Sequence, residues 1–527
     1  MRIARVFGIV LLLVLVPFLV VACGPADDVG EGEPIPEGGG DLIIATLSDA
    51  VSMDPHGSND VPSSNIAYNI YESLVYFDMN SELQPLLATE WEALDDTTWE
   101  FTLREGVKFH DDTDFTAEAV KATFDRLLDP DIASPRLFLF GMIEEVIVVD
   151  DYTVQFVTQF PFAPLPAHLA HNGGAIISPA AIEKDYAEMA AGNEPGTYLS
   201  QNPVGTGFFR FENWTPGSEL TLVRYENYWG EPAQLESVTF KVVPENLTRL
   251  SELETGFAHI ADPIQPSDLS RVENMPNAHI YTQSSTSLAY IGFQCEKEPF
   301  NDVRVRQAIS MAINKDDIIE GVYEGTAIPA VGPIAPGVFG YDPSVSTIPY
   351  DVDQARELLV EAGYADGFST SIWTNDNPAR IQIAEYVQSK LSELNIDVSI
   401  EVVEWGAYLD GTAEGNHEMF ILGWSTPTLD ADYATYALFH SSNIGAPGNR
   451  SYFSDPEVDE LLDLGRQESD PDLRLQYYRE VQEKLVELAP MLYLLHIEDL
   501  VGVSDSVKNF EMTSARIFQL RNVYIEQ

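Results

Sequence analysis

Residues 87–130 constrain this chain more than any other stretch. From Thr98 to Arg104 the residues alternate. Trp99, Phe101 and Leu103 point one way, and Thr98, Glu100, Thr102 and Arg104 point the other. That period of two is the pattern of a half-buried strand. Gly106 interrupts it, Val107, Lys108 and Phe109 resume it as a short strand, and His110-Asp111-Asp112 reads as a turn. Thr116 can then cap a helix, with Glu118 favoured by the positive helix start. Val120, Phe124, Leu127 and Leu128 follow at helical spacing until Asp129-Pro130 ends the run. Periodicity alone therefore predicts strand, turn and helix.

The 527 residues correspond to about two to four domain-sized units, and an apolar fraction of 45% is ample for a core. With 28 basic against 84 acidic residues the net charge is −56, which argues against a nucleic-acid partner. The acids are spread along the whole chain and read as a solvated surface. Such an excess suits a saline or alkaline habitat, where its self-repulsion is screened or tolerated.

The first residues are a targeting segment. Arg2 and Arg5 precede an apolar run over residues 6–22 that Pro17 breaks. It is short for a membrane span of about 20 residues and reads as a signal peptide. Val20, Val21, Ala22, Cys23 and Gly24 resemble a bacterial lipobox, in which Cys23 is acylated after cleavage and becomes the mature N-terminus; the plain alternative is an ordinary signal peptide with an incidental cysteine. If Cys23 carries lipid, Cys295 is alone, no internal disulfide forms, and Cys295 reads as a buried inert thiol. Residues 24–40 are rich in Gly, Pro and acid, a flexible tether that as a coil spans about 20–25 Å.

Residues 41–47 read as the first strand, followed by a loop through His56 and a helix that starts at Ser63 or Ser64 and carries Ile66, Tyr68, Ile70, Tyr71, Leu74 and Val75. Gly205 and Gly207 lack the third glycine and the following helix of a phosphate loop, and lead into a strand instead. Residues 238–243 alternate as a strand, and residues 247–256 read as a helix closed by Gly256. Asn301 or Asp302 caps a helix, Asn314 and Lys315 begin another, and residues 351–363 form a capped helix closed by Gly363. A strand at 369–373, a helix at 378–394 and a strand at 396–403 make a βαβ unit with a parallel pair.

The residues themselves say more than their periodicity. Trp91-Glu92, Thr98-Trp99, Phe101, Leu103-Arg104, Gly106-Val107-Lys108-Phe109-His110-Asp111 and Phe115-Thr116-Ala117 closely resemble the signature of the bacterial extracellular solute-binding proteins of family 5, the peptide/nickel-binding family. Asp112 stands where that family usually has Gly, and Ala119 where it usually has Asp. Further similar blocks lie at 202–211 with 225–230, at 289–325, at 421–433 with 438–441, and at 489–496 with 507–510, so the resemblance covers nearly all of residues 41–527.

The resemblance implies an α/β, two-lobed periplasmic-binding-protein-like fold of the large type II class, its lobes joined by two crossing strands. Residues 41–79, 203–285 and 499–527 would form lobe I, residues 80–202 an extra subdomain of it, and residues 286–498 lobe II. It implies an extracytoplasmic protein on the outer face of the cytoplasmic membrane or in the periplasm, held by lipid on Cys23. Such a protein captures an oligopeptide or peptide-like solute by hinge closure and delivers it to an ABC permease driven by an ATPase. It would act as a monomer with no cofactor and no bound metal. Solute contacts are expected on loops facing the cleft: Met53 and Asp54 from lobe I; Trp405, Trp424, Ser425, Thr426, Thr428, Asp430 and Asp432 from lobe II. Each tryptophan has a core reading beside it, and Asp430 and Asp432 have a helix-capping reading, because residues 431–439 look helical. Dipeptide binders place an Asp where this chain has Pro427, and an Arg in a longer loop than residues 374–378; Arg380 is nearby but on the following helix. The Gly423-Trp424-Ser425-Thr426-Pro427-Thr428 run looks more like the glutathione-type and general oligopeptide branches.

An enzyme has no motif behind it. H-E-x-x-H, G-x-S-x-G and G-x-x-x-x-G-K-[ST] are all missing, and the nine histidines show no tight metal spacing. His168 and His171 read as a plain surface pair. The alternatives kept open are a non-peptide solute (nickel chelate, haem or oligosaccharide), a sensor module, and a lipid-anchored hydrolase.

Overall fold

Two long strands organise the molecule. Ala278–Phe293 and Met491–Ser504 run antiparallel side by side, and their register slips between Ser284 and Leu288. The computed structural model describes residues 39–446 and 448–526; the leader, Cys23 and the tether up to residue 38 lie outside the described residues. Residues 278–284 pair with 498–504, and Met491–Ser504 continues to Ile260–Asp262 and thence to Asp41–Thr46, Ser237–Val242, Glu219–Arg224 and Phe209–Thr215. Beyond the slip, residues 288–293 pair with Met419–Trp424, which leads to Ser369–Thr374 and Asp397–Val402. Two half-sheets thus share the two long strands, and the ladder is interrupted where they meet.

Each half has its own core. Leu42, Ile44, Phe209, Leu222, Val238 and Val501 pack together in the first. Ile291, Ile309, Ile372, Val387, Val398 and Leu494 pack in the second, under the helices Val303–Ala312 and Pro378–Ser392. Ser369–Thr374 and Asp397–Val402 are a parallel pair bridged by Pro378–Ser392, the expected βαβ unit. A separate four-stranded sheet, in the order Ala88–Ala93, Thr98–Leu103, Thr153–Thr158, Ile143–Asp150, packs on the helix Ala117–Leu128. On Thr98–Leu103 the alternation holds: Phe101 and Leu103 are buried and Thr102 is exposed. Residues 107–109 do not form the expected strand; only an isolated bridge links Lys108 to Asp114.

The helix expected from Ser63 or Ser64 starts at Val61 and stops at Ile70. Asp60 caps it, its carboxylate accepting from the Ser63 amide at 3.0 Å. It cannot run on to Val75, because Glu72 is drawn inward to accept from Thr206, Tyr228 and Trp229 at 2.7, 2.6 and 2.8 Å. The Gly207 amide caps the end by donating to the Ile70 carbonyl at 2.9 Å. A Cβ on Gly207 would meet that carbonyl at 2.7 Å, so the glycine permits a close backbone approach rather than a phosphate loop.

Candidate functional site

A cavity of about 280 Å³ lies between the two half-sheets, of the order of a small-molecule site. The first half lines it with residues 46–50 after the first strand, the start of the helix Val61–Ile70, residues 262–266 and residues 515–518. The second half contributes Arg380 at the start of the helix Pro378–Ser392, Trp405, the end of Met419–Trp424, Tyr433 and Arg450. The shared strand Met491–Ser504 adds residues 497–500.

The halves meet over this space. Phe138 lies 5.5 Å from Tyr433 and 6.4 Å from Trp424, between ring centres. The Tyr433 hydroxyl donates to Asn59 Oδ1 at 3.4 Å, and the Ser425 hydroxyl to the Ala515 carbonyl at 3.2 Å. Arg466 grips Asp432 at 3.0 and 2.9 Å and donates to the Phe138 carbonyl at 3.1 Å. His168 Nε2 stands 3.3 Å from Asp432 Oδ2. These contacts bridge the two halves across the cavity.

Three of the residues expected at the site line the cavity: Trp405, Trp424 and Ser425. Trp424 is also part of the core, stacked on Tyr433 at 5.3 Å with its indole N–H donated to the Tyr433 carbonyl at 3.2 Å. The other candidates stand outside the lining. Met53 is fully buried in the first core. Asp54 takes Arg126 at 3.2 and 2.7 Å. Asp430 caps the helix Ala431–Phe439 and takes Arg474 at 3.1 and 2.8 Å. Asp432 belongs to Arg466, which holds its carboxyl well below the usual range despite the burial that pushes it up. Thr426 and Thr428 are buried away from the space. The physical reason is shared: three buried arginines from distant segments claim the three acids. His168 and His171 are likewise no surface pair. Both are buried; His168 faces the Leu139 carbonyl at 2.9 Å, and His171 Nε2 faces Arg136 at 3.2 Å.

Sequence reasoning set Arg380 aside and passed over Arg136 and Arg450, three cations that line the cavity. Arg380 does lie on the helix, yet its guanidinium turns into the cavity, donating to Asn375 Oδ1 at 3.0 Å and standing 5.8 Å from the Trp405 ring. Arg136 reaches Asn59, His171 and Ser64. Arg450 donates to Thr412 Oγ1 at 3.1 Å. Burial lowers the pKa of all three. Among the described residues none of the three is ion-paired with a carboxylate, although the chain carries 84 acids. The short loop before Arg380 was the one available signal; nothing local marks Arg136 or Arg450. Among the described residues no group of three or more His, Cys, Asp or Glu is placed to hold a metal ion, and no helix is long and apolar enough to cross a membrane. Burial pushes the free Cys295 thiol up to about 11, which leaves it protonated and inert at neutral pH.

Comparison with known proteins agrees with this architecture. The family model described as bacterial extracellular solute-binding proteins, family 5 middle, matches residues 82–446. The glutathione-binding protein GsiB of Salmonella typhi is 34% identical over 472 residues, covering 88% of this chain and 90% of that protein. The GsiB of Escherichia coli K12 is also 34% identical over 472 residues. Among solved structures, the periplasmic binding protein DppA from Helicobacter pylori in complex with the peptide STSA superposes with a TM-score of 0.86 at 32% identity, over 93% of this chain and 99% of that one. A dipeptide-binding protein from Pseudoalteromonas sp. SM9913 in complex with Met-Leu gives a TM-score of 0.87 at 26% identity, over 92% of this chain and 100% of that one.

Proposed function

This chain belongs to the bacterial extracellular solute-binding proteins of family 5, and from that premise we propose that its solute is a small peptide or peptide-like molecule with more than one carboxylate, of which glutathione is the model. The family serves ABC importers: the protein captures a solute outside the cytoplasm and hands it to a permease that an ATPase drives. The observation that carries the ligand reading is the trio Arg136, Arg380 and Arg450. Arg136 and Arg450 are buried and Arg380 is half-buried, and each is held by neutral partners. A buried charge without a counterion costs free energy that an anionic ligand recovers. Guanidinium forks suit carboxylates, and Trp405, Trp424 and Tyr433 supply aromatic faces beside them.

The mechanism follows from the two half-sheets. We take residues 41–79, 203–285 and 499–527 as lobe I, 80–202 as its subdomain and 286–498 as lobe II, hinged where the long strands slip register. A solute that touches both lobes stabilises the closed state by its differential contacts and leaves unchanged. The test is a melting screen of the purified protein against di- to pentapeptides, glutathione, nickel chelates, haem and oligosaccharides. A true solute at a hundredfold excess over Kd stabilises by about 2.7 kcal/mol and reduces the scattering radius. If only sugars or chelates raise the melting temperature, the peptide reading fails.

The mature protein is further proposed to be lipid-anchored and monomeric, with the lipid on Cys23 and residues 24–40 as its tether; Ala22 and Gly24 on either side of Cys23, at the end of the apolar run, support the anchor. Replacing Cys23 by Ser should leave uncleaved precursor or release the protein from membranes. Membrane retention and processing unaltered by the substitution would sink the anchor.

A further inference from the structure

The cavity carries a second charged group that the arginine trio does not explain. Asp499 lies on the strand Met491–Ser504, and Asp262 closes the strand Ile260–Asp262. Both line the cavity together with Arg516. Arg516 donates to Asp262 Oδ1 at 2.7 Å and stands 3.5 Å from Asp499 Oδ1. One guanidinium therefore faces two carboxylates, and one negative charge is left over. Asp499 is 3% exposed, and its Oδ2 accepts no hydrogen bond. A carboxylate oxygen that is buried, unpartnered and at the wall of a ligand cavity lacks a donor.

We propose that Asp499 and Asp262 form the subsite that holds the ammonium group of the bound solute, while the arginine trio takes its carboxylates. The proposal rests on the peptide-like reading and adds to it that the solute is zwitterionic, with a free primary amine. An ammonium presents three donors and one positive charge, which meets both deficits. Neither acid lies in the loop after Trp424, where Pro427 offers no charge. The subsite instead sits on the strand that crosses between the lobes, so it is rigid before the solute arrives. Burial, opposed by Arg516 and reinforced by Asp262, pushes the Asp499 carboxyl up to about 6. Other groups near the pair include Ser285, which favours the ionised form of Asp499, Tyr323, Arg380, whose charge is felt by Arg516, and Arg249 behind Asp262, bound to the Val243, Pro244 and Pro263 carbonyls.

The sign of the pH effect follows. Ionised Asp499 is disfavoured in the fold, so its charge destabilises the empty protein above its folded pKa and is relieved below it. Binding an ammonium needs that same charge. Asp499→Asn should therefore melt no lower than the wild type at neutral pH while losing affinity.

The experiment is a titration of full-length wild type and Asp499→Asn with glutamyl-alanine and glutathione, two peptides with two carboxylates, each free and N-acetylated. N-acetylation should weaken wild-type binding about 30-fold or more, as losing a buried charge partner does. The variant should lose the same factor for the free-amine probes and should be nearly indifferent to acetylation. Lowering the pH from neutral to a unit below about 6 should weaken binding of the free-amine probes to the wild type and not to the variant. Equal wild-type affinity for free and acetylated probes overturns the ammonium subsite and leaves the peptide reading standing. Equal loss in the variant for both forms also overturns it, because the residue would then act only on the shape of the cavity. Binding of none of the four probes overturns the peptide reading and this proposal together.

Discussion

Replacing Arg126 by Ala is expected to cost about 3–5 kcal/mol of stability, the usual loss when one partner of a buried charge cluster is removed. The side chain is fully buried and sits between two carboxylates that are as hidden as it is. Its Nη2 reaches Asp54 Oδ2 at 2.7 Å and Asp185 Oδ2 at 2.8 Å, and its Nη1 reaches Asp54 Oδ1 at 3.2 Å and His56 Nδ1 at 2.9 Å. Arg126 lies on the helix Ala117–Leu128, Asp185 on Pro179–Ala190, and Asp54 in the loop after the first strand. The cluster thus clamps the four-stranded subdomain to the first half-sheet. Without the guanidinium two buried anions face each other, and the fold must protonate or admit water. The urea midpoint at neutral pH should fall sharply and the deficit should shrink on acidification, because protonation removes the repulsion. Arg126→Lys should be intermediate, since it keeps the charge and loses the fork. A loss below about 1 kcal/mol, the range of an exposed pair, would refute the clamp.

The second large effect falls on binding. Arg380→Met should weaken the solute found by the melting screen by 2 kcal/mol or more, about 30-fold. The empty protein should melt at or above the wild-type temperature. Both expectations have one cause: burial lowers the pKa of Arg380, so the empty cavity holds its charge at a cost and only an anionic ligand recovers it. The buried ion pairs behave in the opposite way, as Arg126 illustrates, so the two substitutions separate ligand-directed from scaffold-directed arginines. Unchanged affinity together with a lower melting temperature would make Arg380 a structural residue and remove the main support for an anionic solute. Arg450, donated to Thr412 rather than to an acid, offers the same contrast from a different segment.

Much of the fold is legible locally because secondary structure repeats over a few residues. The alternation at 98–103 becomes the strand Thr98–Leu103. Asp351 and Gly363 bracket the helix Val352–Glu361, one by capping it and the other by adopting a φ of 93°. Arg104, Gly106 and their neighbours carry the family resemblance with no knowledge of what they pack against. Where the helix stops short of the local reading, at Ile70 instead of Val75, a buried Glu72 with partners 134–157 residues away redirected the chain.

The candidate site was legible only in part, and the reason is the range of electrostatics. Trp405, Trp424 and Ser425 reach the cavity because they sit on and beside the strand Met419–Trp424, whose end faces the second lobe partner. Whether an acid in that region meets solute or scaffold depends on which cation arrives beside it. Asp430 and Asp432 are claimed by Arg474 and Arg466, 44 and 34 residues downstream, and Asp54 by Arg126, 72 residues away. Asp262 meets Arg516 across 254 residues. The sequence alone determined the strands, helices and turns, since hydrophobic period and caps are properties of neighbours in the chain, and its resemblance to family 5 implied the two-lobed α/β solute-binding fold. Only the tertiary structure decided which charges cancel inside the protein and which stand without a carboxylate beside them, since a charge is balanced by whatever lies within a few ångströms, however far along the chain it comes from.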